Sequence, residues 1–444
     1  MKSSISSTGN STGTRAFRSS FLHCVSDPVD NAGDQGWLYL EDGLLLIRDG
    51  KVEMLDHADS VLSQLSDDIP VEDYRGKLIV PGFVDTHIHY PQTDMIASHG
   101  EQLLDWLEKY TFPTERRFAD INYANDVAEF FTDELIRNGT TSALVLGTVH
   151  QHSVDAIFNS ALRYNLRLVA GKVLMDRNCP DDLRDSPDIA YNESKALIER
   201  WHGQSRLSYA ITPRFAPTST DAQLVKMGQL AQEHPDVFVH THVAENTSEV
   251  DWVKQLFPKS RSYLDVYDQF GLLRDRAVLA HCIYLDEPDR MRLADSGAAM
   301  SFCPTSNLFL GSGLFDFSAA KDCNARVGLG TDVGAGTSFS MLQTLAEAYK
   351  VAQLAGRPMS AHELLYLATL GSAKSLYLDD KIGNFEQNKE ADFVVLDWAA
   401  TELLKRRSDA ANDIAEKFFA MVMLGDDRAV FATHIMGNCV YTRD

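Results

Sequence analysis

Short apolar runs recur through the middle of the chain, and between them lie segments whose apolar residues are spaced three and four apart. Strand-like runs that alternate with helix-like segments are typical of βαβ units and a parallel sheet. Eight consecutive units predict an α/β fold, a (β/α)8 TIM-like barrel, which we place at residues 81–383. The runs are PGFVDTHIH (81–89), TSALVLGT (141–148), RLVAGKVLM (167–175), LSYAITPR (207–214), VFVHTHVAE (237–245), AVLAHCIYL (277–285), AAMSFCPTS (298–306) and RVGLGTDVG (326–334).

The segments between these runs carry the apolar stripe expected of helices that pack on a sheet. In HSVDAIFNSALRYN, Ser153 is a suitable N-cap, and the apolar residues after it recur at helical spacing. In DAQLVKMGQLAQEH the same spacing predicts one apolar face, formed by Leu224, Met227, Leu230 and Ala231. Both segments therefore fit the outer helical layer of a barrel.

The two ends of the chain have a different pattern, in which β-rich runs are joined by tight turns. Near the start, GLLLIRDGKVEML contains Asp49-Gly50, a dipeptide typical of a two-residue hairpin turn. Near the end, ADFVVLD and AVFATHIMGNCVYT have the pattern of further strands. We therefore predict a small β-sandwich domain built from residues 16–80 and 384–444. Residues 1–15 are rich in Ser, Thr and Gly, and we predict a disordered tail there.

Composition and charge exclude several classes of protein. Hydrophobic residues make up 44% of the chain and charged residues 23%, which is ordinary for a folded domain. The 63 acidic residues outnumber the 41 basic ones, and the resulting charge of −22 disfavours binding to nucleic acid or to an anionic membrane. No stretch reaches the roughly 18 consecutive apolar residues that a membrane span needs. We therefore expect a small-molecule substrate rather than a nucleic acid or a membrane.

Cysteine usage and the N-terminal composition indicate a compartment. The six cysteines are far apart without a CxxC motif, and residues 1–20 lack the apolar core of a secretory signal. We therefore expect reduced thiols and a cytoplasmic protein. Residues 1–20 hold basic residues and no acidic one, which leaves an organellar transit peptide as the alternative.

Histidines and carboxylates stand where several of the predicted barrel strands end. Active sites of (β/α)8 barrels lie at the carboxyl ends of the strands, so these side chains are expected to meet on one rim. A single histidine on a strand is usually a buried imidazole that the backbone satisfies, but recurrence on several strands indicates a metal site. The residues concerned are His87, His89, His240, His242, Glu245, His281 and Asp332.

Three imidazoles and one carboxylate suit Zn²⁺ or Fe²⁺ and leave a coordination position for water. One residue separates His87 from His89, so on an extended strand both imidazoles lie on the same face. His240 and His242 share a face in the same way. We predict His242 as the ligand because it is nearer the strand end, which leaves a structural role for His240. The expected ligand set is His87, His89, His242 and Asp332, with Glu245 as the general acid and base beside the metal.

The motifs PGFVDTHIH, HTHVAEN, LAHC and GLGTDVGAG resemble those of the amidohydrolase superfamily, in its metal-dependent purine and pyrimidine deaminase branch. The resemblance covers the chain from about residue 16 onwards. It implies a hydrolase with the ligand set given above, with Glu245 as proton carrier and with His281 orienting the attacking water. The fourth run, LSYAITPR, lacks the lysine that bridges two metals in dinuclear relatives, so one Zn²⁺ per chain is expected. Lys172, in the third run, we interpret as structural.

Further stretches narrow the resemblance within that branch and imply a purine base as substrate. These are HIHYPQTDM, FPTERRF, NGTTSALVLGTVH, ITPRFAPTS and CPTSNLFLGSGLF. Arg214 closes the fourth run; a rim salt bridge is its ordinary role, but its two parallel donors match the O6 and N7 acceptors of guanine. The resemblance adds Gln92 for the polar edge of the purine and Phe215 for stacking. The full set of expected substrate contacts is His89, Tyr90, Pro91, Gln92, Arg214, Phe215, His242, Glu245 and Asp332.

The reaction that this resemblance implies is hydrolytic deamination of the free base guanine. Water attacks C2, Glu245 delivers a proton to N3 and then to the amine, and Asp332 takes a proton from the water. Ammonia leaves and xanthine remains. The resemblance also implies a homodimer.

Two rival interpretations of the function agree less well with the sequence. A hydrolase of the same branch that acts on another purine, a pterin or a triazine would keep the same metal site, but Arg214, Phe215 and Gln92 favour guanine. A scaffold protein that keeps the barrel without catalysis would be expected to lose metal ligands, and every ligand is present here.

Three local features have other interpretations. HGE at residues 99–101 matches half of the cytidine deaminase signature, but the PCxxC half is absent from the sequence. Cys303 has no activating partner in the sequence, so we expect it to pack, with Ser306 and Asn307 near the pocket. Asn388 stands where a glycine is usual in the superfamily, and we expect the turn to survive because Asn tolerates the left-handed conformation.

Overall fold

The structure is a computed structural model that describes residues 4–5, 13–28 and 36–443. Its strands are β1 (Ser4–Ile5), β2 (Thr14–Cys24), β3 (Trp37–Arg48), β4 (Lys51–His57), β5 (Val71–Pro81), β6 (Phe83–His89), β7 (Thr140–Leu146), β8 (Arg167–Gly171), β9 (Val173–Leu174), β10 (Leu207–Pro213), β11 (Phe238–Val243), β12 (Ala277–His281), β13 (Ala299–Phe302), β14 (Arg326–Leu329), β15 (Phe393–Leu396), β16 (Val430–Ile435) and β17 (Asn438–Thr442).

The helices lie mostly between the barrel strands. They are α1 (Ala58–Leu62), α2 (Leu103–Trp106), α3 (Phe112–Arg116), α4 (Ile121–Arg137), α5 (Gln151–Tyr164), α6 (Pro187–Trp201), α7 (Asp221–Glu233), α8 (Thr247–Leu256), α9 (Tyr263–Gln269), α10 (Glu287–Ser296), α11 (Pro304–Phe309), α12 (Phe317–Asp322), α13 (Met341–Leu354), α14 (Ala361–Ala368), α15 (Leu370–Ser375), α16 (Glu402–Asp409) and α17 (Ile414–Leu424). A π-helical turn, Leu107–Thr111, joins α2 to α3.

Parallel strands form the central sheet. Within the described residues their order is β14-β13-β12-β11-β10-β8-β7-β6, and the two-residue β9 pairs with β10. All of their pairings are parallel. Each of the eight predicted runs contains a strand, and helices connect successive strands, so the predicted (β/α)8 barrel is confirmed.

Backbone hydrogen bonds between the first barrel strand and the segment after the last one close the barrel. The backbone N–H of Asp332 donates to the carbonyl of His87 at 2.9 Å, and that of His89 donates to the carbonyl of Val333 at 2.8 Å. The closure therefore places the two histidines of β6 directly beside Asp332, although more than 240 residues separate them in the sequence.

Apolar side chains fill the barrel below this rim. The residues that follow α14, among them Ala373, Leu376 and Leu378, belong to the same buried cluster and cover the amino ends of the strands. The strand residues of the cluster are Val84, Leu144, Val169, Ala210, Phe238, Val278 and Ala299. The barrel is a packed core rather than a channel, so its chemistry is confined to the rim.

The helix predicted after the second strand is present, but it begins before the predicted cap. Gln151 is its first residue and His150 occupies the N-cap position, while Ser153 lies in the first turn. The Ser153 hydroxyl accepts hydrogen bonds from the backbone N–H and the hydroxyl of Thr148 instead, at 3.2 and 2.8 Å. Ser153 therefore holds the preceding loop to the helix rather than capping it.

The second domain is a sheet to which both ends of the chain contribute, as predicted. Within the described residues its strand order is β1-β17-β16-β15-β5-β2-β3-β4. Bulges in β2 and β3 bend these long strands, and apolar residues from both halves of the sheet form one buried cluster. The hairpin turns at Asp49 and Gly50, both with positive φ, and Asn388 has a φ of 71°, the left-handed conformation expected there.

The structure bears on two parts of the predicted domain division, the N-terminal tail and the segment 384–444. The tail predicted for residues 1–15 lies largely outside the described residues; of those described, Ser4–Ile5 pairs with β17, and β2 begins at Thr14. In the segment 384–444, α17 packs on the barrel helix α13, with the rings of Phe419 and Tyr349 4.8 Å apart. The boundaries 16–80, 81–383 and 384–444 therefore remain a proposed division. No helix in the described part of the chain is long and apolar enough to cross a membrane.

A buried ion-pair network joins the barrel to the β domain. Arg206, just before β10, pairs with Glu390 at 2.7 Å and with Asp392, two carboxylates that precede β15. Arg167 of β8 pairs with Glu390 as well. Arg206 also donates to the carbonyl of Asn165 at 2.8 Å. Burial of several charges is tolerated only because each has an opposite partner.

We predict that Arg206→Met destabilises the protein by about 3–5 kcal/mol, because it leaves the carboxylates of Glu390 and Asp392 buried without their main counter-charge. Urea unfolding measures the difference. As a control, Lys405→Met removes the exposed pair with Asp409 on α16 and should cost less than about 0.5 kcal/mol. Equal losses in the two variants would contradict this interpretation of the network.

Candidate active site

A pocket opens at the carboxyl ends of the barrel strands. The space between its lining residues measures about 440 Å³, part of which is open to bulk solvent. Its lining combines polar groups with apolar walls: His89, Gln92, Leu103, Trp106, Leu107, Thr111, Arg214, Phe215, His242, Glu245, Glu249, His281, Leu310, Asp332 and Ala335. A flat apolar ligand with polar edges fits such a lining.

Three imidazole nitrogens and a carboxylate converge at the base of the pocket. Nε2 of His87 and Nε2 of His89 lie 3.2 and 3.3 Å from Oδ1 of Asp332. Nε2 of His242 lies 3.2 Å from Nε2 of His89. Nε2 of His87 is buried and has no hydrogen-bond partner among the described residues. A divalent metal ion would satisfy this nitrogen, and three nitrogens with one oxygen are a donor set that such an ion takes.

His240 lies behind this cluster. Its Nε2 is 2.7 Å from Nδ1 of His87. When Nδ1 of His87 carries the proton and donates a hydrogen bond to His240, Nε2 of His87 keeps its lone pair for a metal. Nδ1 of His242 donates in the same manner to the carbonyl of Arg214, at 2.6 Å. Each imidazole is thus turned so that Nε2 faces the cluster.

Burial disfavours the charged form of two imidazoles in this cluster. It lowers the pKa of His89 to about 4 and the pKa of His242 well below its ordinary value. Neutral imidazole is the form that binds a metal ion. His89 and His242 are therefore in the protonation state that metal binding needs at neutral pH.

Two other side chains have atoms close enough to join a metal site. One nitrogen of His281 lies within 4.8 Å of donor atoms of His87 and His242, and Sγ of Cys303 lies within 4.8 Å of donor atoms of His87 and Asp332. Burial raises the pKa of the Cys303 thiol well above its usual range, so it is not a thiolate, and its Sγ lies 3.5 Å from the carbonyl of Ser301. This agrees with a packing role for Cys303.

The ends of the contributing strands adopt unusual backbone conformations. Asp332, His281 and Ala244 have φ values of 51°, 72° and 51°. Residues with a Cβ pay roughly 1–2 kcal/mol in this left-handed region, and such outliers cluster at functional sites. The conformations turn the side chains of Asp332 and His281 from the strand direction toward the pocket.

Glu245 stands over the cluster and is held by its neighbours. The hydroxyl of Ser312 donates to its Oε1 at 2.8 Å, and its Oε2 lies 3.4 Å from Nε2 of His281. The carboxylate of Glu249 accepts from the backbone N–H of Glu245 at 2.9 Å. Burial, with repulsion from Asp332, raises the pKa of Glu245 to about 8. A carboxyl group with a pKa in this range can both give and accept a proton near neutral pH.

His281 lies between the two carboxylates. Its Nε2 is 3.4 Å from Glu245 and 3.8 Å from Oδ2 of Asp332. Its Nδ1 lies 2.9 Å from Oδ1 of Asn307, which fixes the ring plane. Asn307 therefore stands behind His281 and not on the pocket surface.

The buried pair of Arg214 and Glu115 forms another wall of the pocket. Nη1 of Arg214 donates to both carboxylate oxygens of Glu115, at 3.0 and 2.8 Å. The hydrogen bonds given for the Arg214 guanidinium engage Nη1. Phe215 lines the pocket next to Arg214, and Gln92 lies 3.1 Å from Nδ1 of His89. The ion pair thus fixes the guanidinium of a residue that lines the pocket.

Two predicted substrate contacts lie elsewhere. Of the described residues, those that line the pocket include Gln92 but neither Tyr90 nor Pro91. The hydroxyl of Tyr90 donates to the carbonyl of Ser153 at 2.7 Å, and its ring packs on Phe118. Lys172, interpreted as structural, pairs with Asp185 and, at 3.3 Å, with Glu193 outside the pocket.

Residues 103–116 form a wall of the pocket that the sequence pattern did not predict. This segment comprises α2, the π-helical turn and α3, and it contributes Leu103, Trp106, Leu107 and Thr111 to the pocket and Glu115 to the ion pair. Its sequence carried only one signal, the FPTERRF stretch that belongs to the resemblance. A π-helical turn has no distinctive residue pattern, so its face could not be assigned.

Comparison with known proteins agrees with this geometry. Residues 78–439 match the Amidohydrolase family. The guanine deaminase of Escherichia coli (strain K12) is 54% identical over 97% of this chain and 98% of its own length. A solved structure of E. coli guanine deaminase has a TM-score of 0.95 and covers 97% of this chain and 100% of that chain.

A more distant solved structure carries a ligand. A crystal structure of guanine deaminase from C. acetobutylicum, with guanine bound in the active site, is 28% identical to this chain. Its TM-score is 0.87, and the match covers 96% of this chain and 100% of that chain. Similarity to these proteins therefore extends over both the barrel and the β domain.

The two histidines of β11 give a matched test of the metal site. We expect His242→Asn to abolish tight binding of Zn²⁺, because it removes one of the converging nitrogens. His240→Asn should retain the ion with affinity lowered about 10- to 100-fold, since it removes only the partner of His87. Competition with a chromogenic chelator and elemental analysis measure both effects. Loss of metal in His240→Asn with retention in His242→Asn would reverse the assignment.

Proposed function

We propose that the chain, which belongs to the amidohydrolase family, catalyses the hydrolytic deamination of guanine to xanthine and ammonia. The observation that carries this proposal is one pocket in which a metal donor cluster, a buried carboxyl group and a fixed guanidinium face the same space. The near full-length similarity to guanine deaminases supports the choice of substrate.

One Zn²⁺ per chain would be held by His87, His89, His242 and Asp332. The fit rests on Nε2 of His87, which has no hydrogen-bond partner among the described residues, and on the burial that disfavours the charged forms of His89 and His242. The ion would act as a Lewis acid that lowers the pKa of the attacking water toward neutrality. Fe²⁺ takes the same donors and is the alternative ion.

Glu245 is the proton carrier in this proposal. With Oε1 engaged by Ser312, Oε2 is the oxygen that faces the reacting atoms. It accepts one proton from water as the water oxygen bonds to C2 and passes that proton to N3 of the base. It then protonates the amine with the second proton of the same water, which Asp332 takes up and passes on to it. The C2–N bond breaks, and ammonia leaves. His281, between the two carboxylates, orients the water, and Asp332 takes its second proton.

Arg214, Gln92 and Phe215 bind the base. Guanidinium donors of Arg214 would pair with O6 and N7, the two acceptors on one edge of guanine. Glu115 neutralises the guanidinium, so the pocket suits a neutral base rather than an anion. Phe215 offers a ring on which the purine stacks. Adenine or an aminotriazine would use the same metal but lacks the carbonyl oxygen that completes this acceptor pair.

The wider context belongs to the same proposal. We infer a homodimer in solution from the resemblance of the sequence to its family, and a cytoplasmic location from cysteines that are far apart and form no CxxC motif. Light scattering of the purified chain measures the first.

The purified, zinc-loaded chain should convert guanine to xanthine and ammonia in equal amounts. Adenine and cytosine should neither react nor compete effectively, because they lack the O6 and N7 acceptor pair that Arg214 would bind. Ultraviolet absorbance follows the base and a coupled assay follows ammonia. A fully metallated chain that leaves guanine unchanged would refute the proposed substrate.

The variant Glu245→Gln should lower kcat by about 10²- to 10⁴-fold while metal content stays at one ion per chain, because the amide cannot carry the proton. The matched control is Glu199→Gln on the exposed face of α6, which should leave kcat within twofold. Retention of most activity in Glu245→Gln would remove Glu245 from the mechanism.

A further inference from the structure

A buried hydroxyl on the π-helical turn has no partner. Thr111 is fully buried, and its side chain lines the pocket. Its Oγ has no hydrogen-bond partner among the described residues. A buried polar group that stays unpaired costs free energy, so such groups in folded proteins are almost always satisfied. Something absent from the polypeptide is therefore expected to bind the Thr111 hydroxyl.

Three other threonines on helices behave differently, although the buried hydroxyl of Thr305 on α11 also has no hydrogen-bond partner among the described residues. The hydroxyls of Thr114, Thr344 and Thr369 donate to the carbonyl four residues earlier, at 2.8, 3.0 and 2.6 Å. This is the usual solution for threonine inside a helix. The corresponding carbonyl for Thr111 is that of Leu107, and the backbone N–H of Phe112 donates to it across the π-helical turn. The turn thus frees the Thr111 hydroxyl instead of pairing it.

The position of Thr111 indicates which part of a ligand it meets. The next residue, Phe112, lies under the guanidinium of Arg214, with the ring centre 5.6 Å from Cζ. Glu115, one helical turn further on, forms the ion pair with Arg214. Thr111 therefore belongs to the wall of the pocket that holds Arg214. Glu245, on the catalytic rim, lines the same pocket.

We propose that the Thr111 hydroxyl is a further substrate-binding group, which hydrogen-bonds the polar edge of the purine on the Arg214 side of the pocket. The inference rests on the proposed function, since it takes guanine as the ligand. The π-helical turn then serves substrate binding, because it leaves the Thr111 hydroxyl unpaired by the helix backbone and available to bind the base. Specificity follows, because a ligand without a polar atom at this edge would leave the hydroxyl unpaired.

Thr111→Val and Thr114→Val form a matched pair, since both remove a hydroxyl from the same segment and keep the shape of the side chain. Guanine affinity is measured by calorimetry in the Glu245→Gln background, where the base is not consumed. Thr111→Val should raise the Kd about 3- to 10-fold, as expected for loss of one hydrogen bond. Thr114→Val should change it less than twofold. In otherwise wild-type protein, Thr111→Val should raise KM with little change in kcat.

The melting temperature of the ligand-free protein separates binding from a structural role. Removal of an unpaired buried hydroxyl should leave the melting temperature of Thr111→Val unchanged or raise it, whereas a structural role predicts a decrease. Unchanged guanine affinity in Thr111→Val, with normal guanine turnover by the wild-type protein, would overturn this inference alone. Absence of both guanine turnover and guanine binding in the wild-type protein would overturn the proposed function, and this inference with it.

Discussion

The convergence of buried imidazoles on one buried carboxylate is the constraint on which the rest of the structure depends. His87, His89 and His242 lose their hydration at the base of the pocket, and Nε2 of His87 gains no hydrogen-bond partner among the described residues in return. Desolvation of such groups is unfavourable unless they coordinate an ion or pair with each other. This unfavourable desolvation is confined to one place in the fold. Closure of the barrel creates that place, because it brings β6 against the residues after β14. Strand register is equally constrained, since a slip by one residue would turn the histidines to the opposite face.

Around this cluster, each side chain with a chemical role is held by a second residue. His240 engages His87, the carbonyl of Arg214 engages His242, and Asn307 engages His281. Ser312 holds Glu245, and Glu115 holds Arg214. These contacts tie the proposed metal donors, the proposed proton carrier and the proposed base-binding guanidinium to different strands and loops of one rim. The site is therefore preorganised, and little rearrangement is needed when a flat base enters the pocket.

Much of the fold, and the grouping of the proposed metal donors, could be predicted because both follow from strand periodicity. The eight apolar runs determined the barrel, and residues at the ends of those runs had to share its rim, which brought His87, His242 and Asp332 together. Periodicity does not predict the structure of the connections between the strands in the same way. The wall formed by residues 103–116 includes a π-helical turn, and its pairing of Glu115 with Arg214 depends on tertiary contact alone. Tyr90 and Gln92 are neighbours in one short segment, yet Tyr90 packs on Phe118 while Gln92 lines the pocket. Asn388 could be predicted, since its conformation is a local property of the turn.

The proposed single metal site combines His87 and His89 of β6 with His242 of β11 and with Asp332, which follows β14. Its most direct test is an anomalous difference map at the zinc absorption edge, from crystals of the zinc-loaded protein. We predict one peak per chain, in contact with Nε2 of His87, His89 and His242 and with the carboxylate of Asp332. A peak bound instead by His240 or Cys303, or a second peak in the same pocket, would contradict it.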